Sequence, residues 1–280
     1  MTEIAERIDP GLKGVPETML WTLHNRATES MRADGVLNDP EVERIYKSID
    51  YDYEANFRKG NASHSMRSIM FDRYVREFLA EHPDGVVVNL AVGLETQHTR
   101  IDNGRALWLG VDLPESIAIR ERFIAPDERH RHIAASAFDS SWYDEVPDGR
   151  PVFFTAQGLL MYFDEEVVKQ HLISLSQRFP GAWYAFDNIP RWMSRMSVRP
   201  GGFKLTKSYT VPPCPWGVNR YELEGLLRSW VPSLDEVILD KWDRYPRGFF
   251  QRYVLWFISS TPVLRGISPT VNRVRFGVPT

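Results

Sequence analysis

Residues 86–112 read VVVNLAVGLETQHTRIDNGRALWLGVD, and the fold turns on how this stretch is parsed. The run Val86-Val87-Val88-Asn89-Leu90 is apolar, β-branched and too short for a helix, so it predicts a buried strand. A turn follows at Gly93, and a second strand, Ala106 to Val111, ends on Asp112. A strand, a glycine-bearing turn and an acid about 20 residues on hold nucleotide-like ligands across the carboxyl ends of a parallel sheet. The acid receives ribose hydroxyls and the turn lets the backbone come close. The stretch therefore predicts an adenosine-containing cofactor.

Working outward, strands and helices alternate. Upstream, Met19, Leu20, Leu23 and Ala27 fall at helical spacing after Pro16, with Gly35 as a C-cap, and Asp39-Pro40 opens a second helix. Residues 51–60 lack periodicity and read as a covering loop. His64 to His82 is a stronger helix striped by Phe71, Tyr74 and Phe78. Arg67 lies four residues before Phe71 on that stripe, so it points inward, as an anion clamp or as a snorkelling side chain. Downstream come a helix from Pro114, a third strand at 131–135, a polar turn at 137–142 and a fourth strand ending at Gln157. A helix capped by Asp164, a fifth strand ending on Asp187 and a Pro/Gly-rich insertion at about 189–219 follow. A helix, a strand at 234–239, a helical tract at 249–257 and an alternating strand at 271–276 close the chain. The expectation is a doubly wound, Rossmann-like α/β sheet, mostly parallel, with a C-terminal antiparallel edge strand. Residues 1–84 are expected to form a helical cap on an α/β domain at 85–280.

Composition narrows the function. The 280 residues are 43% hydrophobic, and 34 basic against 37 acidic side chains give a net charge of −3, with no basic stripe for nucleic acid. The single cysteine, Cys214, allows neither an intrachain disulfide nor a multi-cysteine metal site, and the histidines lack metal-ligand spacing. No apolar run reaches membrane-spanning length and the acidic start lacks a signal pattern, so a cytoplasmic protein without membrane attachment is expected. The oligomeric state stays open.

A dinucleotide fingerprint needs glycine at 91, 93 and 96, where this chain has Ala91, Gly93 and Thr96. Glu95 would stand where a pyrophosphate sits, and that is repulsive. S-adenosylmethionine carries no phosphate. Its sulfonium and ammonium tolerate Glu95, and its carboxylate suits an inward Arg67. The charges favour S-adenosylmethionine over a nicotinamide cofactor.

The segments HSMRSIMFDRYVREFL, VVNLAVGLETQHTR, WLGVDLPESIAIR, AFDSSW and AQGLLMYF, in this order, resemble the successive motifs of the leucine carboxyl methyltransferase family, in particular its bacterial branch. The resemblance implies that Arg67 grips the methionine carboxylate and that Ala91 to Gly93 passes beneath the methionine portion. It implies that Asp112, with Leu113 beside it, holds the ribose, that Phe138 and Asp139 frame the adenine, and that Gln157 approaches the ammonium. Two positions depart from the family: Ala91 replaces a glycine and Gln157 a glutamate. Loss of one charge-assisted hydrogen bond is worth about 1–3 kcal/mol, which Glu95 is expected to offset in part. A weakly active or non-catalytic relative of the fold is the alternative reading.

Methyl transfer is an in-line displacement governed by positioning and desolvation. A carboxylate acceptor needs no general base, whereas a phenol benefits from one, and no residue is assigned as catalytic. Met19, His24, Arg26, Tyr46, Tyr162, Trp192, Met193, Met196 and Trp216 are expected to wall the acceptor pocket, with Arg26, Tyr162 and Trp192 touching substrate. So many aromatics and methionines suit a flat small molecule. A small-molecule O-methyltransferase acting on a polyketide-like or other aromatic acid or phenol is expected. Methylation of a protein carboxyl terminus is demanded by no feature of the sequence, and nucleic-acid methylation lacks its basic surface.

Overall fold

The computed structural model describes residues 7–278 except 243–244, 249, 258–260, 262–265 and 267. Strands β1 (Val86–Leu90), β2 (Leu107–Asp112), β3 (His130–Ala134), β4 (Val152–Ala156) and β5 (Trp183–Asn188) run parallel. A short hairpin, β6 (Phe203–Lys204) with β7 (Thr210–Val211), stands apart from the main sheet. With β8 (Leu234–Lys241) and β9 (Thr270–Phe276), the main sheet has the order β3-β2-β1-β4-β5-β9-β8. This is the doubly wound, mostly parallel arrangement that the alternation predicts. The C-terminal strand β9 is antiparallel to both neighbours, as expected, but it lies one strand in from the margin, where β8 stands. Burial explains the placement. Val271 packs into the core on one face of the sheet and Val274 and Phe276 into the core on the other, whereas β8 is only half-buried along most of its length.

Nine α-helices accompany these strands among the described residues: α1 (Thr18–Ser30), α2 (Pro40–Ser48), α3 (Tyr53–Phe57), α4 (Ser63–Glu81), α5 (Gln97–Ile101), α6 (Pro114–Glu121), α7 (Glu165–Arg178), α8 (Arg191–Ser197) and α9 (Arg220–Trp230). Successive side chains of β1 point to opposite faces. Val86, Val88 and Leu90 share a core with Val168, Leu172 and Leu175 of α7 and with Leu223 and Leu227 of α9. Val87 shares the other core with Phe71, Tyr74 and Phe78 of α4, each such buried side chain contributing about 1.5–3 kcal/mol. The aromatic stripe thus lays α4 on the sheet rather than in the cap. Helices α1–α3 pack through Leu20, Leu23, Val42, Ile45, Tyr53 and Phe57 into a third core that they share with Leu94, Phe123, Ile124 and Met161. That core extends to Tyr209, Val211 and Cys214 of the 189–219 insertion. The tract expected to be helical at 249–257 makes a π-helical turn at Phe250–Leu255; residue 249 lies outside the described residues.

Strand order reverses beside β1, which has β2 on one side and β4 on the other, and ligands of such sheets bind outside this switch point. Leu90 pairs with Val111 and with Ala156, and Ala156 pairs with Phe186. The next residue of each strand therefore completes one row: Asp112, Ala91, Gln157 and Asp187.

Candidate active site

That row floors a cavity of about 880 Å³ roofed by α1, the start of α4 and the 189–219 insertion. Asp112 is held by the turn it faces: its carboxylate accepts from the backbone N–H of Gly93 at 2.7 Å and of Leu113 at 2.8 Å. Burial raises its pKa despite these bonds, one from Ser116 and the nearby Arg120. Gly93 has φ 44°, and a Cβ there would lie 3.2 Å from that of Met19, so the position demands glycine on both counts. Ala91 also sits in the left-handed region, at φ 51°, a conformation that costs an alanine about 1–2 kcal/mol. Arg120 of α6, fully buried, donates to the carbonyls of Gly93 at 2.9 Å and Glu95 at 2.8 Å and so fixes the turn from behind. Arg120 ends the segment WLGVDLPESIAIR, where the sequence motif itself assigns it no role. Its spacing from Ser116 and Ile117, four and three residues earlier, is the signal that it faces inward.

Glu95 lines the cavity, but its charge is already matched. It pairs with Arg26 at 3.0 Å and with Arg100 at 2.9 Å, and Arg100 reaches on to Asp39 at 2.7 Å and Asp72 at 2.9 Å. Burial alone would raise the pKa of Glu95; the two guanidiniums and the Thr96 N–H outweigh it and hold the group at about 2. Arg26, expected from the sequence to touch the acceptor, does not line the cavity. It is buried outside the cavity wall, and its two terminal nitrogens donate to Glu95, the Leu94 carbonyl and the Thr96 hydroxyl. The expected compensation of Gln157 by Glu95 loses its footing for the same reason.

Arg67 is inward and on the cavity wall, where its Nη1 pairs with Asp187 Oδ2 at 3.1 Å. The other carboxylate oxygen of Asp187 accepts from the Gly158 N–H at 2.5 Å. Gly158 has φ 63°, and a Cβ there would stand 2.8 Å from Arg67 Nη1, so glycine also admits the guanidinium. Beside them, both amide atoms of Gln157 and the Nε of Arg67 are buried without a protein partner. Asp187 ends a strand in the sequence but belongs to no motif, and its proximity to Arg67 was not legible.

Of the remaining expected contacts, Leu113 and Phe138 line the cavity, the latter packed on Phe163 with ring centres 4.0 Å apart. Asp139 does not line it; its N–H closes a turn onto the Ser136 carbonyl. Met19, Tyr162, Trp192, Met193 and Met196 form part of the wall, whereas His24, Tyr46 and Trp216 do not. Trp216 is core, and His24 stacks against Tyr46 and Tyr53, which also touch each other, in the cap. The wall also includes His64, one turn before Arg67 on α4. Its Nδ1 lies 2.7 Å from Asn25 Nδ2, and Asn25 Oδ1 accepts from the backbone N–H of Asn61 at 3.0 Å. A backbone N–H can only donate, so the Asn25 amide is oriented and donates to His64 Nδ1. The ring's Nε2 then carries the proton. Burial, with Arg67, Arg26 and His24 nearby, lowers the pKa of His64 well below that of ordinary imidazole.

A doubly wound sheet with a glycine turn, a ribose-type acid and a paired cation and anion at its switch point defines the class of S-adenosylmethionine-dependent methyltransferases. The cavity fits that cofactor: it offers acceptors at Asp112, a charged pair at Arg67 and Asp187 and, among the described residues, no cluster of cations for a pyrophosphate. The profile of the leucine carboxyl methyltransferase family matches residues 19–175. Over 229 residues the chain is 34% identical to the tetracenomycin polyketide synthesis O-methyltransferase TcmP of Streptomyces glaucescens, covering 80% of this chain and 81% of that one. It is 27% identical over 188 residues to the S-adenosyl-L-methionine-dependent methyltransferase dpfgK of Gibberella zeae, covering 60% of this chain and 62% of that protein. The solved structure of a candidate methyltransferase from Thermobifida fusca YX superimposes with a TM-score of 0.53 at 17% identity, covering 91% of this chain and 94% of that one. The chain belongs to the leucine carboxyl methyltransferase family. It is an enzyme that uses S-adenosylmethionine as methyl donor. Among the described residues no helix is long and apolar enough to cross a membrane.

Proposed function

We propose that the enzyme transfers the methyl group to a carboxylate oxygen of a small aromatic, polyketide-like acid, with Arg67, Ala91, Gly93, Asp112, Leu113, Phe138 and Gln157 facing the cofactor. The acceptor lies between α1 and the insertion, against Tyr162 and Trp192, with helices α1–α3 acting as a lid. The name of TcmP supports an O-methyl product and a polyketide acceptor. The observation that carries the choice of carboxylate is the protonation of the cavity wall. His64 is neutral with its proton on Nε2, so it donates a hydrogen bond and cannot take a proton there. Burial raises the pKa of the Tyr162 phenol and pushes that of the Cys214 thiol up to about 11, so both stay protonated. These groups suit an acceptor that arrives ionised. The cofactor's sulfonium supplies an activated methyl; the protein contributes alignment, exclusion of water and the His64 donor to the acceptor's oxygens. The small-molecule cavity and mixed surface charge favour a cytoplasmic metabolite over a nucleic acid.

The test is incubation with methyl-labelled cofactor and a panel of aromatic acids paired with phenols of the same skeleton. Methyl esters, cleaved by mild alkali, are expected, with kcat/KM flat from about pH 6 to 9 because a carboxylate is ionised throughout. Alkali-stable ethers and a rate that climbs with pH would overturn the carboxylate assignment. His64→Ala is expected to raise KM for the acid about tenfold without changing the shape of that pH profile.

A further inference from the structure

We propose that Asp187, at the end of β5, is the carboxylate that receives the cofactor's α-ammonium, in place of an acid at position 157. This deepens the S-adenosylmethionine assignment and rests on it. Three acids line the cavity among the described residues: Glu95, Asp112 and Asp187. Glu95 is matched by Arg26 and Arg100, and Asp112 stands at the opposite end of the row from Asp187 and Arg67. Only Asp187 faces the cavity beside the cation that suits a carboxylate ligand, Arg67.

The surroundings match an α-amino acid group. Arg67 and Asp187 stand 3.1 Å apart, the cation and anion that a zwitterion would meet with its carboxylate and ammonium. Gln157 is the neighbouring residue in the same row, and both of its amide atoms are buried with no protein partner. A buried amide left unmatched costs free energy unless a ligand completes it, and its oxygen is a second acceptor for an ammonium. The Gly158 N–H holds Asp187 Oδ1 from the chain that carries Gln157, so the two groups are fixed together. An ammonium has three donors, and two acceptors on adjacent strands leave one for water or backbone. Asp187 supplies in this row the negative charge that Gln157 does not carry.

The test is calorimetric titration of the full chain with S-adenosylhomocysteine and with its analogue lacking the α-amino group. The wild type is expected to bind the parent at least tenfold more tightly than the analogue. Asp187→Asn is expected to weaken the parent about tenfold or more while changing the analogue by less than threefold, which also reports that the variant is folded. Asp187→Asn combined with Gln157→Glu is expected to recover most of the lost preference. Equal weakening of both ligands by Asp187→Asn would overturn the proposal, since the residue would then act only by holding Arg67. Unchanged binding of the parent would overturn it outright. Failure of the wild type to bind either ligand would overturn the cofactor assignment together with the proposal.

Discussion

Two charged regions border the same cavity and are built on opposite terms. Behind the glycine turn, Glu95, Asp39 and Asp72 meet Arg26 and Arg100 in a buried network joining α1, the start of α2, α4 and α5. At the end of β4 and β5, Arg67 and Asp187 pair in front of Gln157, which has no protein partner. The difference separates scaffold from receptor. A network whose members satisfy one another fixes the position of cap and turn, whereas an incompletely satisfied group leaves bonds for a ligand to make. Both regions carry family motif residues, so sequence alone gives them similar weight. What marks the first as structural is that each of its charges is paired behind the turn, although Arg26 Nε has no partner, whereas in the second neither amide atom of Gln157 is partnered.

The largest effect that could break this contrast comes from Arg100. Its side chain is 5% exposed and pairs with three carboxylates. Arg100→Ala strands Asp39 and Asp72 in the interior and is expected to cost about 3–5 kcal/mol of stability, read by urea denaturation. A variant of unchanged stability that no longer bound cofactor would mean that the network reads the ligand too.

The contrast also explains what the sequence could tell. The β1–turn–β2 unit was legible because strand period, glycine and acid all lie within 27 consecutive residues. Arg67 was legible through its place on the stripe of α4. Arg26 was not, because α1 is buried at eight of its thirteen positions and offers no clear inner face to periodicity. What decides its direction is Glu95, 69 residues away. Asp187 meets Arg67 across 120 residues, through the register of β4 with β5, which no local pattern encodes. The inward position of β9 likewise depends on which strand covers it, so alternation gave its strand character and missed its place.

A smaller effect sharpens the scaffold side through pH. Arg120 is backed by His130 and His132, and His98 stacks on His130 with ring centres 3.6 Å apart. Burial lowers His98 to about 4, helped by Arg120 and His132 against Asp102 and Asp127; burial with His98, Arg120 and His132 lowers His130 to about 2. Both folded-state values lie below that of an unfolded histidine, near 6.5, so the unfolded chain binds these protons first. Their contribution is complete above about pH 6.5 and is lost as pH falls, to about 4 for His98 and about 2 for His130. Urea midpoints are expected to drop between pH 7 and 5, with a slope of at most about 1.4 kcal/mol per histidine per pH unit. The double variant His98→Gln, His130→Gln should flatten that slope. An equally steep decline in the variant would place the acid sensitivity elsewhere.

The smallest effect belongs to the receptor side. Ala91 adopts φ 51° in the row that floors the cavity, where an L-residue is strained by about 1–2 kcal/mol and glycine is not. Ala91→Gly relieves that strain, but glycine adds about 0.4–1 kcal/mol of unfolded-chain entropy, and a methyl packed at the edge of the core is lost. A net gain of about 0.5 kcal/mol is expected from denaturation curves. Cofactor affinity should rise or stay level if, as proposed, Ala91 faces the cofactor from the cavity floor. A destabilised variant would mean that the packing of the Ala91 methyl outweighs the strain, and that this end of β1 is scaffold rather than receptor. A stabilised variant with weaker affinity would place the methyl itself among the contacts that hold the cofactor.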